Sequence, residues 1–360
     1  MTLTLDFRTI PDPTGHTPAL RLKGDWLFVV ISDGRAAGLG EATHSGDDGR
    51  CRQAIGDLFD RHVKHLRPSF DEIRELEAGP FAAVPDFLHA TAVSAVNQAL
   101  YDLLARREGV PVWRLFTDTP VRDRVELYAT INRCLVARDL GEYREVVSEV
   151  RGCGFRHVKC APFDGVTPNG DHVSQSKMGL DILRGLRSVF PDLSIRVDFH
   201  GRFTAESFFR ILPELDELRP HWIEEPFELG PRYADVRGHG RVAAGELSFG
   251  VDGFRPLVES GWADVILPDV KHVGGFGPLL RVCALAAKHG VEVSPHNPSG
   301  PISTVASLHA AALSDNVTSL EIPFDRDGRR KTFGEPVCDG YIVRTDTPGW
   351  GIELPENTPR

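Results

Sequence analysis

The chain has 360 residues, 41% hydrophobic and 26% charged, with a formal net charge of −10. That balance suits a globular protein with a sizeable core, built as two domains or as one barrel with additions. The negative balance and the lack of a basic cluster interleaved with aromatics argue against nucleic acid as a partner, and no apolar run reaches membrane-spanning length. The six cysteines (Cys51, Cys134, Cys153, Cys160, Cys283, Cys338) are scattered, with no C-x-x-C pair, and read as free thiols of a reducing compartment. No basic-then-apolar pattern opens the chain. A cytoplasmic protein with no membrane association is expected.

Residues 1–50 alternate as an antiparallel sheet does. Trp26–Ser32 reads as a strand, Asp33-Gly34 as a turn and Gly38–Ala42 as the returning strand. From 51 to 107 the pattern turns helical, and Thr91–Arg107 carries Val93, Val96, Leu100, Leu103 and Leu104 on one face until Gly109 and Pro111 stop it. After the strand 125–130 the character changes. Helices at 140–151, 177–189 and 204–218 alternate with short apolar strands at 155–159, 194–200 and 221–224, and further strands follow at 242–246, 264–269, 291–296 and 317–321. Their polar ends are about 22 to 27 residues apart from Asp198 onward, the length of one βα unit, which implies a parallel β/α barrel. The tail 339–354 reads as hairpin-like strands returning to the N-terminal domain.

Barrel active sites lie at the C-terminal ends of the strands. Here those ends read Lys159, Asp198 with His200, Glu224, Glu246, Asp269, His296 and Glu321. Any one could be a solvated strand end; so many successive units ending in an ionisable residue are hard to explain that way. Asp198 and His200 are two apart and so share a strand face. Asp198, Glu224 and Glu246 come from consecutive strands and can converge. Carboxylates so placed repel unless a cation neutralises them, and hard oxygen donors suit Mg²⁺. Glu224 is preferred to Glu225 because Ile223 should face the helices, which leaves Glu225 to a supporting or loop role. His272 reads as a structural or supporting residue in a strand-to-loop turn, Gly274-Gly275 as a turn, and His157 as packed or facing the barrel exterior.

The motifs D-F-H-G-R at 198–202, W-I-E-E-P at 222–226, A-G-E at 244–246, P-D-V-K-H-V-G-G at 268–275 and P-H-N-P-S-G-P-I at 295–302 resemble those of the enolase superfamily. Within it they resemble the mandelate racemase subgroup and its galactonate-dehydratase-like acid-sugar dehydratases. The similarity extends to G-L-G-E-A at 38–42, to 95–103 and to P-G-W-G-I at 348–352, and so covers most of the chain. It implies an α/β protein, a modified (β/α)₇β TIM-like barrel with an α+β capping domain formed by the N- and C-terminal segments. The expected boundaries are 1–122 for the N-terminal cap, 123–330 for the barrel and 331–360 for the returning segment. The resemblance also implies Asp198, Glu224 and Glu246 as Mg²⁺ ligands, His296 as catalytic base with Asp269 orienting it, and His200 as general acid for a leaving hydroxyl. Glu321 matches a group that hydrogen-bonds the substrate carboxylate, and Lys159 the first lysine of a Lys-x-Lys motif. Ala161 stands where the second lysine, a racemase base, would be.

The expected activity is Mg²⁺-dependent dehydration of a sugar acid, an aldonate or aldarate, to a 2-keto-3-deoxy acid through an enediolate. An epimerase, racemase or cycloisomerase would share that intermediate, and a non-catalytic sugar-acid-binding protein would share the barrel. The expected partner is a small-molecule substrate, and the expected assembly a homo-oligomer. His16, Arg21, His44, Asp47 and Asp164, in segments 12–24, 43–50 and 161–176, are candidates for specificity.

Overall fold

The computed structural model describes residues 2–11, 25–43, 46–326, 328–355 and 358–359. His16, Arg21 and His44 lie outside them. Three strands, β1 (Thr4–Ile10), β2 (Trp26–Ser32) and β3 (Ala37–Glu41), form an antiparallel sheet in the order β1-β2-β3. Helices α1 (Asp48–Leu58), α2 (Phe70–Ala78) and α3 (Phe87–Glu108) follow. Asp47 is the N-cap of α1, accepting a hydrogen bond from Arg50 N.

The apolar face expected on α3 is only part of what it buries. Every residue from Ala90 to Ala105 is buried. Gly38 and Gly40 of β3 let the sheet press directly on this helix, since a Cβ at Gly40 would lie 1.9 Å from Ala95 O. The other side of α3 reaches the barrel, where Asn97 Oδ1 accepts from Phe276 N.

The barrel alternates β4 (Arg124–Thr130), α4 (Leu140–Gly152), β5 (His157–Cys160), α5 (His172–Val189), β6 (Ser194–Asp198), α6 (Ala205–Leu218), β7 (Trp222–Glu224), α7 (Tyr233–Val236), β8 (Val242–Ala244), α8 (Arg255–Glu259), β9 (Val265–Ile266), α9 (Phe276–Lys288), β10 (Glu292–Val293), α10 (Pro301–Ala311) and β11 (Ser319–Pro323). Neighbouring strands pair in parallel from β4 to β10, and β11 pairs with β4. A bridge between Val293 and Val317 closes the ring. This is a (β/α)₇β barrel with a capping sheet. Local signals start the helices: Asp139 caps α4, and Thr204 with Ser207 forms a capping box on α6. Among the described residues no helix is long and apolar enough to cross a membrane.

The tail differs from expectation. β12 (Val337–Cys338) and β13 (Tyr341–Val343) form a hairpin, but β13 pairs antiparallel with β4, Ile342 opposite Val125. β4 meets β5 only from Tyr128 onward. Its earlier backbone would present an open edge, and β13 fills it. The cap is reached by the segment before the hairpin, where the Phe333 ring lies 5.6 Å from Trp26 and 5.7 Å from Phe28, and by the segment beyond it. There Trp350 donates from its backbone to Asp102 Oδ1 (2.7 Å) and from its indole to Leu39 O (2.8 Å).

His157 is packed, one of the two expectations, rather than facing the barrel exterior. Like Lys159 two residues on, it faces the barrel interior, one layer deeper, where its Nε2 lies 2.9 Å from Glu126 Oε2 and its ring 5.7 Å from that of His221. Above it the core of the barrel holds Tyr128, Trp222, Ala243, Val265 and Leu267. The Arg196 guanidinium sits 4.4 Å from both the Tyr128 and Trp222 rings.

Candidate active site

Asp198 ends β6 and Glu224 ends β7, so their carboxylates rise side by side at the C-terminal mouth of the barrel. Glu246 arrives differently, because β8 stops at Ala244 and the chain turns through Gly245 at φ +109. A Cβ there would meet Leu257 and Phe254 at 2.9 Å, so the turn needs glycine. Glu225 holds it: its Oε1 accepts from Gly245 N at 3.0 Å. Each of Asp198, Glu224 and Glu246 offers an oxygen within 4.8 Å of the others.

That triad suits a hard divalent cation. Asp198 Oδ2 is buried and accepts no hydrogen bond, although it lies near two cationic groups. Burial pushes the Glu224 carboxyl well above the usual carboxylate range, and the charges of Asp198, Glu246 and Glu321 add to that, against Lys159. A cation bound to these oxygens would relieve the repulsion. The Trp222 indole donates to Glu224 Oε2 at 2.9 Å and orients it.

Lys159 is buried among the acids. Its Nζ lies 2.7 Å from Glu224 Oε1, 3.0 Å from Glu321 Oε1 and 3.6 Å from Asp198 Oδ2. Burial alone would depress its pKa, but Glu224, Glu321 and Asp198 outweigh it and hold the ammonium charged. Glu321 also accepts from Asn297 N at 3.2 Å. Burial would raise its carboxyl, but Lys159 holds it below the usual value.

His200 does not extend β6, which ends at Asp198. Its φ of +49 puts it in a left-handed turn, where its backbone N donates to Asp198 Oδ1 at 3.0 Å. The turn, not strand alternation, brings the imidazole beside the acid, with Nε2 3.0 Å from Asp198 Oδ2. Its Nδ1 lies 2.7 Å from Asp164 Oδ1. Across the barrel, His296 follows β10, four strands from β6. Its Nδ1 lies 3.0 Å from Asp269 Oδ2 and its Nε2 3.3 Å from Glu246 Oε2. Asp269 also receives the Lys271 ammonium on both oxygens, at 2.7 and 2.6 Å. Burial would raise the Asp269 carboxyl, but Lys271 and His296 hold it well below the usual range.

Asp269, His272 and His296 form a second cluster of possible ligands. Lys271 already neutralises Asp269 there, so the pairing reads as an imidazole and its orienting acid. His272 Nδ1 donates to Glu246 O at 3.0 Å, and burial depresses that imidazole to about 4, which keeps it neutral. Ala161, in the second lysine's place, is buried with its backbone N donating to Asn132 Oδ1. Lys271 was not among the expected site residues, although a lysine two positions after Asp269 was a signal. It named Asp164 without assigning it a partner.

A family model described as enolase C-terminal domain-like matches residues 142–358. D-galactonate dehydratase of Ralstonia pickettii (strain 12J) is 27% identical over 355 residues, covering 93% of this chain and 90% of that protein. A mandelate racemase/muconate lactonizing enzyme-like protein from Roseovarius sp. TM1035 superposes with a TM-score of 0.85 at 24% identity, covering 100% of this chain and 96% of that one. An enolase structure from Agrobacterium radiobacter with bound Na and L-malate superposes with a TM-score of 0.82 at 26% identity, covering 98% and 93%.

Proposed function

The chain belongs to the enolase C-terminal domain-like family, and on that premise we propose that it is a Mg²⁺-dependent hydro-lyase converting a sugar acid, an aldonate or aldarate, to its 2-keto-3-deoxy acid. The observation that carries this reading is the pair of imidazoles. They stand on opposite sides of the carboxylate triad, each turning Nε2 toward it and each holding Nδ1 against a separate aspartate.

Asp198, Glu224 and Glu246 would hold the metal. Bound there, Mg²⁺ supplies a Lewis acid for the charge that develops on the substrate carboxylate. His296 Nε2 takes the C2 proton, and Asp269 fixes the tautomer and stabilises the imidazolium that results. His200 Nε2 gives a proton to the departing 3-hydroxyl, and the enol then ketonises. Lys159 presents its ammonium to the substrate carboxylate. Glu321, as an ionised acceptor, meets that carboxylate through Lys159 rather than by donating to it.

A second reading is supported by the same two imidazoles. Two groups on opposite sides of C2 could remove and return a proton, giving an epimer. Ala161 in the second lysine's place removes the usual lysine base but leaves His200 able to serve. The product separates the readings: loss of water for dehydration, unchanged composition with α-deuterium in deuterated water for epimerisation. The test of the base is His296→Asn, expected to lose both dehydration and α-proton exchange. Full retention of either would remove His296 from the mechanism.

A further inference from the structure

We propose that Asp164 is a positioning residue for the leaving-group proton: it holds the His200 ring through Nδ1, so that Nε2 is the atom that faces the reacting oxygen. The inference rests on the dehydration reading and assigns a residue that reading leaves without a role.

The two imidazoles of the site are built alike. His296 has Nδ1 on Asp269 (3.0 Å) and Nε2 toward Glu246 (3.3 Å). His200 has Nδ1 on Asp164 (2.7 Å) and Nε2 toward Asp198 (3.0 Å). Each orienting carboxylate is itself tied to cations. Asp269 takes Lys271, while Asp164 takes Arg138 Nη1 at 2.6 Å and Arg202 Nε at 3.2 Å. A carboxylate pinned in this way offers one oriented lone pair to Nδ1–H. An imidazole so held can exchange its remaining proton only through Nε2.

Asp164 is placed by packing that does not involve substrate. It follows β5 in a loop whose Phe163 stacks on Phe199, with ring centroids 4.7 Å apart and planes 9° from parallel. Phe199 immediately precedes His200, so one stack registers both members of the pair. The loop is held at its start by Ala161 N donating to Asn132 Oδ1 at 2.8 Å. His200 occupies a left-handed backbone conformation that is unfavourable for a non-glycine residue, and side-chain contacts of this kind can hold it there.

The test uses Asp164→Asn in the Mg²⁺-loaded enzyme. Arg138, on Oδ2, would claim the amide oxygen and leave the NH₂ at the Oδ1 position against His200 Nδ1, which disfavours a proton there and favours the other tautomer. With a panel of aldonates and aldarates that includes D-galactonate, run in deuterated water, kcat for dehydration should fall about 100-fold or more with KM little changed. Recovered substrate should meanwhile gain deuterium at C2 at an undiminished rate, because His296 still works. Dehydration and exchange falling together would mark Asp164 as only structural, and unchanged dehydration would overturn the proposal. A second measurement needs no turnover. The ¹⁵N-resolved proton on His200 Nδ1, assigned by its loss in His200→Asn, should appear downfield in the wild type and be lost or moved upfield in Asp164→Asn. A wild-type His200 without a proton on Nδ1, or a resonance unmoved by the substitution, would refute the proposal. If the wild type dehydrated no sugar acid, the dehydration reading would fall, and the resonance would still decide the Asp164 contact.

Discussion

Glu224 shows how much of this site depends on single contacts. It is fully buried, carries Lys159 on one oxygen and the Trp222 indole on the other, and is pushed by burial and its acidic neighbours toward protonation. Trp222→Phe keeps an aromatic ring in the barrel and removes the donor. It should weaken Mg²⁺ binding by about 10- to 100-fold in calorimetric titration, and unchanged affinity would show that the indole does not orient the ligand. Lys271→Met leaves Asp269 buried without its cation, which should cost about 3–5 kcal/mol in urea denaturation. The strand-terminal acids were legible in the sequence because the βα period brings every strand end to one face. The Trp222 contact was readable too, since residues two apart on a strand share a side. The pairing of Asp164 with His200 was not, because a loop and a left-handed turn on neighbouring strands create it, and neither leaves a periodic trace.

Between elements, the capping sheet reaches the catalytic loop through the Glu41 side chain. Glu41, the last residue of β3, accepts from Gly300 N at 2.6 Å and Ser303 N at 2.9 Å at the start of α10. These are amides of a helix N-terminus that otherwise lack partners. The loop they close begins four residues earlier at His296. Glu41→Ala should cost about 1–3 kcal/mol through unsatisfied buried groups and lower kcat as the base loses its support, read by thermal melts and steady-state kinetics. A fall in stability with kcat intact would separate the cap from the base. The helices and parallel strands could be anticipated from periodicity, but the seat of the β12–β13 hairpin could not. It depends on how far β4 outruns β5, which only the assembled register reveals.

Over the whole molecule, three histidines outside the site, His309 buried and His157 and His221 half-buried, set the acid limit. Burial and the Arg196 charge depress His157 to about 4 and His221 to about 3. Burial depresses His309 to about 3, and its Nδ1 accepts from Trp113 N at 3.0 Å. Each is neutral when folded and protonates near 6.5 when unfolded. Their contribution is therefore intact above pH about 6.5 and is lost as pH falls toward 3–4. His309→Gln keeps an acceptor without a titratable ring and should flatten that acid limb in denaturation curves taken across pH. The barrel itself was foreseeable from the βα spacing, whereas the pairing of His157 with Glu126 was not, because it depends on the register between β4 and β5. The proposed activity is elimination of water from a sugar acid by acid–base chemistry at a metal held by the carboxylates. The direct test is incubation with aldonates and aldarates in deuterated water, with Mg²⁺ and with chelator, followed by mass and NMR analysis of the products. The expected product is a 2-keto-3-deoxy acid, formed with loss of one water and only when metal is present. A product of unchanged composition carrying α-deuterium, or turnover indifferent to the chelator, would contradict it.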